Sequence, residues 1–414
     1  MNFFEYKGNE LYCEDVPVEQ IAAEVGTPLY LYSASTIERH LKVFTEAFSQ
    51  LDHLVCYSVK ANSNLAILRL LAEMGAGADI VSGGELFRAL RAGIPAHKIV
   101  YSGVGKRADE ISSALDAGIL MFNVESRDEL LTINETAGKM GKRAPVALRV
   151  NPDVDPKTHP YISTGMKKNK FGIPITEALS IYREATSLDQ IDVLGVDCHI
   201  GSQLTTSEPF AEAVDRLMKL VIVLEAEGIP IRYFNMGGGL GIVYDKESPP
   251  LPANYAQAII DALGTGERTL ILEPGRVIVG NAGILVTKTL YNKKGATKNF
   301  IIVDAGMNDL IRPSLYDAFQ EIIPVINNGR EETVADVVGP ICESSDFLAR
   351  DHKLPIMASG ELLAVMSAGA YGFSMASQYN SRPRAAEVMV KGDRYEVVRD
   401  RETYEDLIKG ERFF

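Results

Sequence analysis

An alternation of apolar, strand-like runs with helical patterns limits the possible folds of this chain more than any other feature. Eight such runs follow one another in the first two thirds of the sequence: 54–60, 78–82, 98–103, 120–126, 146–152, 193–202, 233–239 and 269–276. Amphipathic helical patterns fill the intervals between them. Strands that alternate with helices form a parallel sheet, and eight repeats in about 220 residues are typical of a (β/α)8 barrel.

A doubly wound open sheet is the competing architecture, but no run is followed by the GxGxxG turn that often marks such sheets. The ends of the runs also favour a barrel, because each ends in polar residues or in glycines. They are Lys60, Ser82, Ser102, Asn123 with Glu125, Arg149 with Asn151, His199 with Ser202, Gly237–Gly239, and Glu273 with Arg276. The carboxyl ends of parallel strands meet at one rim of a barrel, so we predict a functional site there.

After about residue 278 the rhythm changes to short β-like segments at 284–291, 299–304, 333–338, 354–358, 386–391 and 395–398. Helical signal in this part is sparse and lies mainly at 362–367 and 404–408. We therefore predict an α/β protein of two domains. Residues 35–278 form the barrel, and 279–414 form a mainly antiparallel β-barrel or sandwich that strands from 1–34 join.

Composition excludes some classes of function. The net charge of −13, from 42 basic and 55 acidic side chains, argues against binding nucleic acid or an anionic membrane as the main role. No apolar run approaches the roughly 20 residues of a membrane span, and the first residues do not resemble a signal peptide. The four cysteines lack CxxC spacing, which indicates neither a zinc site nor a disulfide framework. We expect a reduced, cytoplasmic protein.

Lys60 ends the first run, LVCYSVKAN. Partial burial at a strand end would lower the pKa of its amine and make it a nucleophile that can form a Schiff base. A lysine that extends its side chain to the surface would give the same pattern.

Two glycine-containing motifs stand at the ends of the last two runs, GGGLG at 237–241 and EPGR at 273–276. Phosphate sites in these barrels typically use the loops after strands seven and eight, although tight turns are the alternative. Glu273 could keep a pyridine nitrogen protonated, or it could form a salt bridge with Arg276 or another residue of the rim.

Two further motifs leave alternatives open. His199 in CHIGS is a core histidine, a planar ring against a cofactor or, least favoured, a metal ligand, and Ser202 is a phosphate donor or a turn residue. In GPICESSD (339–346), Cys342 is either a buried structural cysteine or, with Glu343, part of an exposed functional loop.

Taken together, YSVKAN, HIGSQ, GGGLG, EPGR, RPSLYDA, GPICESSD and AGAYGFSMAS resemble, in this order, the diaminopimelate decarboxylases. That group belongs to the alanine racemase-like, fold type III family of pyridoxal-phosphate-dependent enzymes. The segment HPYISTGMKKNKFGI (159–173) is similar to the group's loop after the fifth strand. Ser345 and Glu361 stand where members often carry glycine and aspartate, and neither position has an assigned role.

The resemblance implies a role for each matching residue. Lys60 would hold pyridoxal 5'-phosphate covalently, His199 would stack on its ring, and Glu273 would face its nitrogen. The phosphate would be bound by Ser202, Gly237, Gly238, Gly239, Gly275, Arg276 and Tyr371. The substrate would contact Arg276, Arg312, Tyr316, Glu343 and Tyr371, with no metal involved. Cys342 would be the acid that protonates the carbanion, and it would reach the site with Glu343 from the partner subunit of a homodimer.

The implied reaction is decarboxylation of meso-2,6-diaminopimelate at its D-centre to L-lysine and CO2, the last step of lysine biosynthesis. Decarboxylation of ornithine, arginine or lysine needs an acidic distal pocket, whereas Arg276, Arg312 and Tyr316 suit a carboxylate. Carboxynorspermidine decarboxylation is a further alternative. A racemase would leave Cys342 and Glu343 without a purpose, and a non-catalytic cofactor-binding regulator need not retain both Lys60 and Cys342.

Overall fold

The computed structural model describes residues 2–155, 170–264 and 266–414. Most of the loop motif at 159–173 therefore lies outside the described residues. The chain divides into two compact units. One comprises Leu41–Ile242 with Ser248–Val277, and the other comprises Met1–His40, Val243–Glu247 and Ile278–Phe414.

The secondary structure alternates strands and helices through the first of these units and is mostly β in the second. The strands are β1 (Phe4–Lys7), β2 (Glu10–Cys13), β3 (Val16–Pro17), β4 (Leu29–Ser33), β5 (His53–Ser58), β6 (Gly77–Ile80), β7 (Ile99–Tyr101), β8 (Met121–Val124), β9 (Ala144–Asn151), β10 (Ile173–Pro174), β11 (Ile191–Asp197), β12 (Tyr233–Asn235), β13 (Thr269–Leu272), β14 (Gly283–Lys294), β15 (Asn299–Val303), β16 (Ile322–Pro324), β17 (Glu332–Val338), β18 (Phe347–Pro355), β19 (Leu362–Val365), β20 (Ala386–Lys391) and β21 (Arg394–Arg399). The helices are α1 (Val18–Val25), α2 (Ala34–Ala47), α3 (Leu65–Glu73), α4 (Gly83–Arg91), α5 (Ala108–Ala117), α6 (Arg127–Met140), α7 (Ile175–Ser187), α8 (Glu208–Ala226), α9 (Pro252–Leu263), α10 (Arg276–Val279), α11 (Arg312–Tyr316) and α12 (Tyr404–Leu407).

The first unit is a closed parallel barrel. Its strands pair in the order β5-β6-β7-β8-β9-β11-β12-β13, and β13 pairs with β5 to complete the ring. Each of the eight predicted runs overlaps one of these strands, so the (β/α)8 prediction is confirmed and the open sheet is excluded. Buried side chains from several strands, among them Cys56, Val100, Met121 and Ile271, form one apolar cluster.

Local signals in the sequence explain where the barrel helices begin. The side chains of Asn64, Ser82 and Ser126 accept hydrogen bonds from backbone N–H groups in the first turns of α3, α4 and α6. Such caps satisfy amides that have no partner inside the helix. Each cap lies shortly after a barrel strand and turns the chain away from the rim, which leaves the strand ends to build a site. Among the helices of the described segments, none combines the length and the apolar character needed to cross a membrane.

The second unit is built on a mixed, mainly antiparallel sheet, as predicted. Its strands run in the order β18-β17-β15-β14-β4-β20-β21, with β19 and β16 branching from β14. The N-terminal strand β4 lies between β14 and β20, so residues near the start of the chain complete this sheet. Strands β1, β2 and β3 form a separate three-stranded sheet.

One local expectation is wrong. The segment 362–367 has a helical pattern, but Leu362–Val365 is strand β19. It pairs with β14 on one side and β16 on the other. The two neighbouring strands satisfy its backbone, and this non-local pairing overrides a short local preference. The expected helix at 404–408 is confirmed as α12.

A buried carboxylate ties the N-terminal strands to α2 and to the β20–β21 turn. Glu14 accepts hydrogen bonds from the hydroxyls of Ser33 and Ser35, both at 2.7 Å. It also accepts from the backbone N–H groups of Ser35 at 2.8 Å and Gly392 at 2.6 Å. Three chain segments therefore depend on one side chain.

We predict that Glu14→Ala lowers the free energy of unfolding by about 2–4 kcal/mol, because buried donors lose a charged acceptor. Urea unfolding of the full chain measures the change. Glu5→Ala is the matched control, since Glu5 is an exposed residue of the neighbouring strand β1. An equal effect of the two substitutions would contradict the anchoring role of Glu14.

Candidate active site

Lys60 lies in a single 3-10 turn, Val59–Ala61, immediately after β5. Its Nζ donates a hydrogen bond of 2.8 Å to Oδ2 of Asp79 in β6. The lysine side chain is 36% exposed, whereas that of Asp79 is fully buried. The Ser58 hydroxyl lies 2.8 Å from the same carboxylate oxygen. The ammonium group is therefore held at the barrel rim by a buried anion and does not extend freely into solvent.

Glu273 follows β13 and is 4% exposed. Its Oε1 accepts hydrogen bonds from Asn123 Nδ2 at 3.1 Å and from Asn235 Nδ2 at 2.6 Å. Burial, together with the carboxylates of Asp79 and Asp197, raises the pKa of Glu273 well above its usual value. The partners of this carboxyl group are amides, so the salt bridge with Arg276 considered from the sequence is not what holds it. A positively charged N–H group nearby would stabilise the ionised form of this buried carboxyl group.

His199 presents a neutral ring. Burial and the nearby cations Arg149 and Lys60 lower the pKa of its imidazole well below the usual value. The Gly238 N–H donates to Nδ1 over 3.1 Å, which identifies Nδ1 as an acceptor and puts the proton of the neutral ring on Nε2. Because Nδ1 is already occupied, the metal-ligand hypothesis for this nitrogen is disfavoured.

The glycines at 237–239 let three strand ends approach closely. A Cβ on Gly238 would lie 2.1 Å from the Glu273 carbonyl oxygen, and one on Gly237 or Gly239 would lie 2.5 Å from the carbonyl oxygen of Cys198 or Gly201. Gly237 and Gly239 also have positive φ angles of 63° and 126°. Only glycine fits this cradle, which presents backbone rather than side chains to a ligand.

A cationic side chain lies at the same rim. The Arg276 Nη2 donates to the Ser202 hydroxyl over 3.0 Å. Gly275, just before this arginine, packs against β5, since a Cβ there would lie 3.0 Å from the Cβ atoms of both Ser58 and Ala61. The structure thus brings together Lys60, His199, Ser202, Gly237–Gly239, Glu273, Gly275 and Arg276 at the carboxyl ends of the barrel strands.

Sequence reasoning missed two members of this rim. Asp79 lies inside a buried run rather than at its end, and a charged residue in an apolar strand was the available signal. Asn235 was likewise inside the run that ends in glycines. A third feature is the ion pair between Arg149 and Glu125 at 2.6 Å. The sequence places both residues at the ends of apolar runs but does not indicate that they pair.

The remaining predicted residues lie in the second unit. Arg312 begins α11, and its guanidinium carbon lies 4.8 Å from the ring centre of Tyr244 and 5.9 Å from that of Tyr316. Tyr371 has a positive φ of 55°. Cys342 is exposed, which contradicts the alternative of a buried structural cysteine. Glu343 accepts a short hydrogen bond from the Tyr379 hydroxyl.

The loop that carries Cys342 folds around a buried carboxylate. Asp346 is 5% exposed and accepts hydrogen bonds of 2.6 Å from the backbone N–H groups of Met307 and Ile341. The Cys342 N–H donates to Asn380 Oδ1 over 2.8 Å. The motif therefore combines a structural residue, Asp346, with exposed Cys342 and Glu343.

The residues of the barrel rim fit pyridoxal phosphate. The glycine cradle and Arg276 suit a phosphate ester, and the neutral His199 ring suits a planar aromatic partner. The buried carboxyl group of Glu273 suits the positively charged N–H of a protonated pyridine ring, and Lys60 supplies an amine for the aldehyde.

Comparisons with known proteins agree with this fit. Residues 34–280 match the family described as pyridoxal-dependent decarboxylase, pyridoxal binding domain. The chain is 53% identical to the diaminopimelate decarboxylase of Haemophilus influenzae over 409 residues, which cover 98% of both chains.

Two solved structures are similar over nearly the whole chain. Diaminopimelate decarboxylase from M. jannaschii, crystallised with L-lysine, superposes with a TM-score of 0.95 at 41% identity, covering 99% of this chain and 98% of that one. The Helicobacter pylori enzyme, also complexed with L-lysine, gives a TM-score of 0.92 at 47% identity, covering 94% and 98%. The chain belongs to the diaminopimelate decarboxylases, within the pyridoxal-dependent decarboxylase family.

Proposed function

We propose that this protein converts meso-2,6-diaminopimelate to L-lysine and CO2 by decarboxylation at the D-configured centre, with pyridoxal 5'-phosphate as its cofactor. The observation that carries the proposal is the similarity, over nearly the whole chain, to diaminopimelate decarboxylases, two of which are solved with L-lysine. We assign cofactor binding to the barrel, residues 35–278, in line with the family match at 34–280. Residues 1–34 and 279–414 form the β domain.

The cofactor is held by groups of three kinds. Lys60 would bind its aldehyde carbon, and the neutral ring of His199 would pack on the pyridine ring. Glu273 would accept a hydrogen bond from the pyridinium N–H and so keep the ring protonated. The phosphate would be bound by Ser202, Gly237, Gly238, Gly239, Gly275, Arg276 and Tyr371. When bound, pyridoxal phosphate supplies an electron sink for the electron pair that departing CO2 leaves behind.

The ion pair between Lys60 and Asp79 orients the amine before the cofactor binds. Asp79 Oδ2 lies 2.8 Å from Nζ, so the carboxylate can accept a proton from the ammonium group or stabilise that group once it is displaced. The same oxygen is within hydrogen-bond distance of the Ser58 hydroxyl, which fixes the position of the carboxylate.

We assign substrate recognition and the final proton transfer to Arg276 of the barrel and to residues of the second unit. Arg276, Arg312 and Tyr316 bind the distal carboxylate, Glu343 and Tyr371 contact the substrate, and Cys342 Sγ donates a proton to the reacting carbon. Cys342 and Glu343 serve the active site of the partner subunit, so the enzyme acts as a homodimer. The exposed free thiol suits a reducing compartment, and we infer a cytoplasmic enzyme of lysine biosynthesis.

A CO2-release assay tests the reaction. Purified holoenzyme should favour meso-diaminopimelate over ornithine, arginine and lysine by about a hundredfold or more in kcat/KM, because only the first offers a distal carboxylate to the arginines. Lys60→Ala protein provides the blank. Equal or faster release from ornithine, arginine or lysine would overturn the assignment of substrate.

Lys60 is tested without turnover. Reduction of the holoenzyme with borohydride should attach the cofactor to a peptide that contains Lys60, as read by mass spectrometry. Lys60→Ala should abolish both this adduct and the absorption band of the covalently bound cofactor. Lys139→Ala is the control, because Lys139 is an exposed residue of α6. A cofactor adduct on another lysine would contradict the anchoring role.

The shared site is tested by mixing two inactive variants, Lys60→Ala and Cys342→Ala. If subunits exchange randomly, half of the dimers are hybrids with one intact site, so about a quarter of wild-type activity should return. Cys342→Ala alone should keep the cofactor absorption and lose turnover. No recovery in subunits shown to have exchanged would mean that each site is built from one chain.

A further inference from the structure

Asn235 joins the carboxyl group of Glu273 to the glycine cradle. It is the last residue of β12 and is fully buried. Its Nδ2 donates to Glu273 Oε1 over 2.6 Å, and its Oδ1 accepts from the Gly237 N–H over 2.9 Å. An amide offers a donor and an acceptor side by side, so both ends of this side chain are used.

The backbone reinforces the same connection. The Glu273 N–H donates to the Gly237 carbonyl oxygen over 2.7 Å. Gly238 then packs on the Glu273 carbonyl group, where a Cβ would approach within 2.1 Å. Gly237 itself has a φ of 63°, a conformation that a specific contact such as the Asn235 acceptor helps to fix. A change at Asn235 therefore reaches the carboxyl group and the cradle together.

Asn123 provides an internal comparison. Its Nδ2 donates to the same oxygen, Glu273 Oε1, over 3.1 Å and to the Ser102 hydroxyl over 3.0 Å. Within the part of the chain that the structure describes, its Oδ1 has no hydrogen-bond partner. Asn123 thus acts on the carboxyl group, as Asn235 does, without the bond to the glycine cradle.

We propose that Asn235 is a positioning residue that couples the two ends of the cofactor site. Its Nδ2 donates to Glu273 and so favours the ionised form of the carboxyl group, in the position where it would meet the ring nitrogen. Its Oδ1 holds Gly237 in the conformation that would receive the phosphate. Asn123 shares the first role alone. The inference rests on the proposed function, because it requires pyridoxal phosphate as the ligand of this rim.

Binding to the apo-protein separates the two roles without turnover. Pyridoxine and pyridoxine 5'-phosphate lack the aldehyde, so neither forms a covalent bond with Lys60. The dissociation constant of pyridoxine divided by that of pyridoxine 5'-phosphate therefore isolates the contribution of the phosphate. Asn235→Ala should reduce this ratio about tenfold, the value of one hydrogen bond that supports an anion site. Asn123→Ala should leave the ratio unchanged. Isothermal titration calorimetry measures both constants.

The ring nitrogen supplies the second measurement. In pyridoxine 5'-phosphate labelled with 15N at the ring, the nitrogen chemical shift reports protonation in the complex. Each of the two alanine variants removes a donor from Glu273 Oε1, which raises the proton affinity of the carboxyl group at the expense of the ring. Both should lower the pH at which the nitrogen loses its proton, by about one unit.

The outcomes distinguish the coupling from the proposed function. A phosphate ratio that falls equally in both variants, or in neither, overturns the coupling, as does an unchanged nitrogen titration in Asn235→Ala. If Asn235→Ala does not fold by circular dichroism, Asn235→Ser carries the same test, because its hydroxyl is too short to bridge both partners. Wild-type protein that binds the phosphate ester no more tightly than pyridoxine would overturn the proposed cofactor site and this inference with it.

Discussion

The burial of Glu273 at the barrel rim is the constraint on which the site depends. A carboxyl group removed from water costs free energy unless hydrogen bonds or cations compensate. Here the compensation comes from the amides of Asn123 and Asn235, on β8 and β12, while Glu273 itself follows β13. Only a closed barrel brings β8 next to β12 and β13 across its interior, so the protonation of this one group depends on the closure of the fold.

Charge balance extends this dependence around the rim. Lys60 pairs with Asp79, and Arg149 pairs with Glu125 while its Nε lies 4.0 Å from Asp197. Burial raises the pKa of Asp197 to about 7 in spite of that arginine. Excess carboxyl groups in a water-poor space favour cationic partners, and a protonated pyridine ring is one. The electrostatics of the rim and the chemistry of the cofactor therefore agree.

Much of the barrel and of its site was predictable from the sequence. The barrel follows from the alternation of strand and helix patterns, and the site follows from the polar residues at the ends of the apolar runs. Asp79 was missed because it lies within an apolar run. In such a run a charged residue can mark either a functional carboxylate or the end of a strand, and the pattern alone does not tell which. The strand at Leu362–Val365 was read as a helix because its pairing partners, β14 and β16, are distant in sequence. The hydrogen bond between Asn235 and Glu273 depends on how three strands align in the barrel. Local sequence propensity does not encode that alignment.

The loop from 339 to 346 shows how an exposed group can still be pre-organised. An exposed thiol on a free loop would lose much of its value as a proton donor, because positioning it would cost conformational entropy at each encounter. Buried Asp346 fixes the backbone of the loop by accepting a hydrogen bond from the Ile341 N–H, and Asn380 Oδ1 accepts one from the Cys342 N–H. The bond from Tyr379 to Glu343 orients the neighbouring carboxylate. The loop thus presents both side chains in a set arrangement, which would suit the role proposed for them in a site on a partner chain.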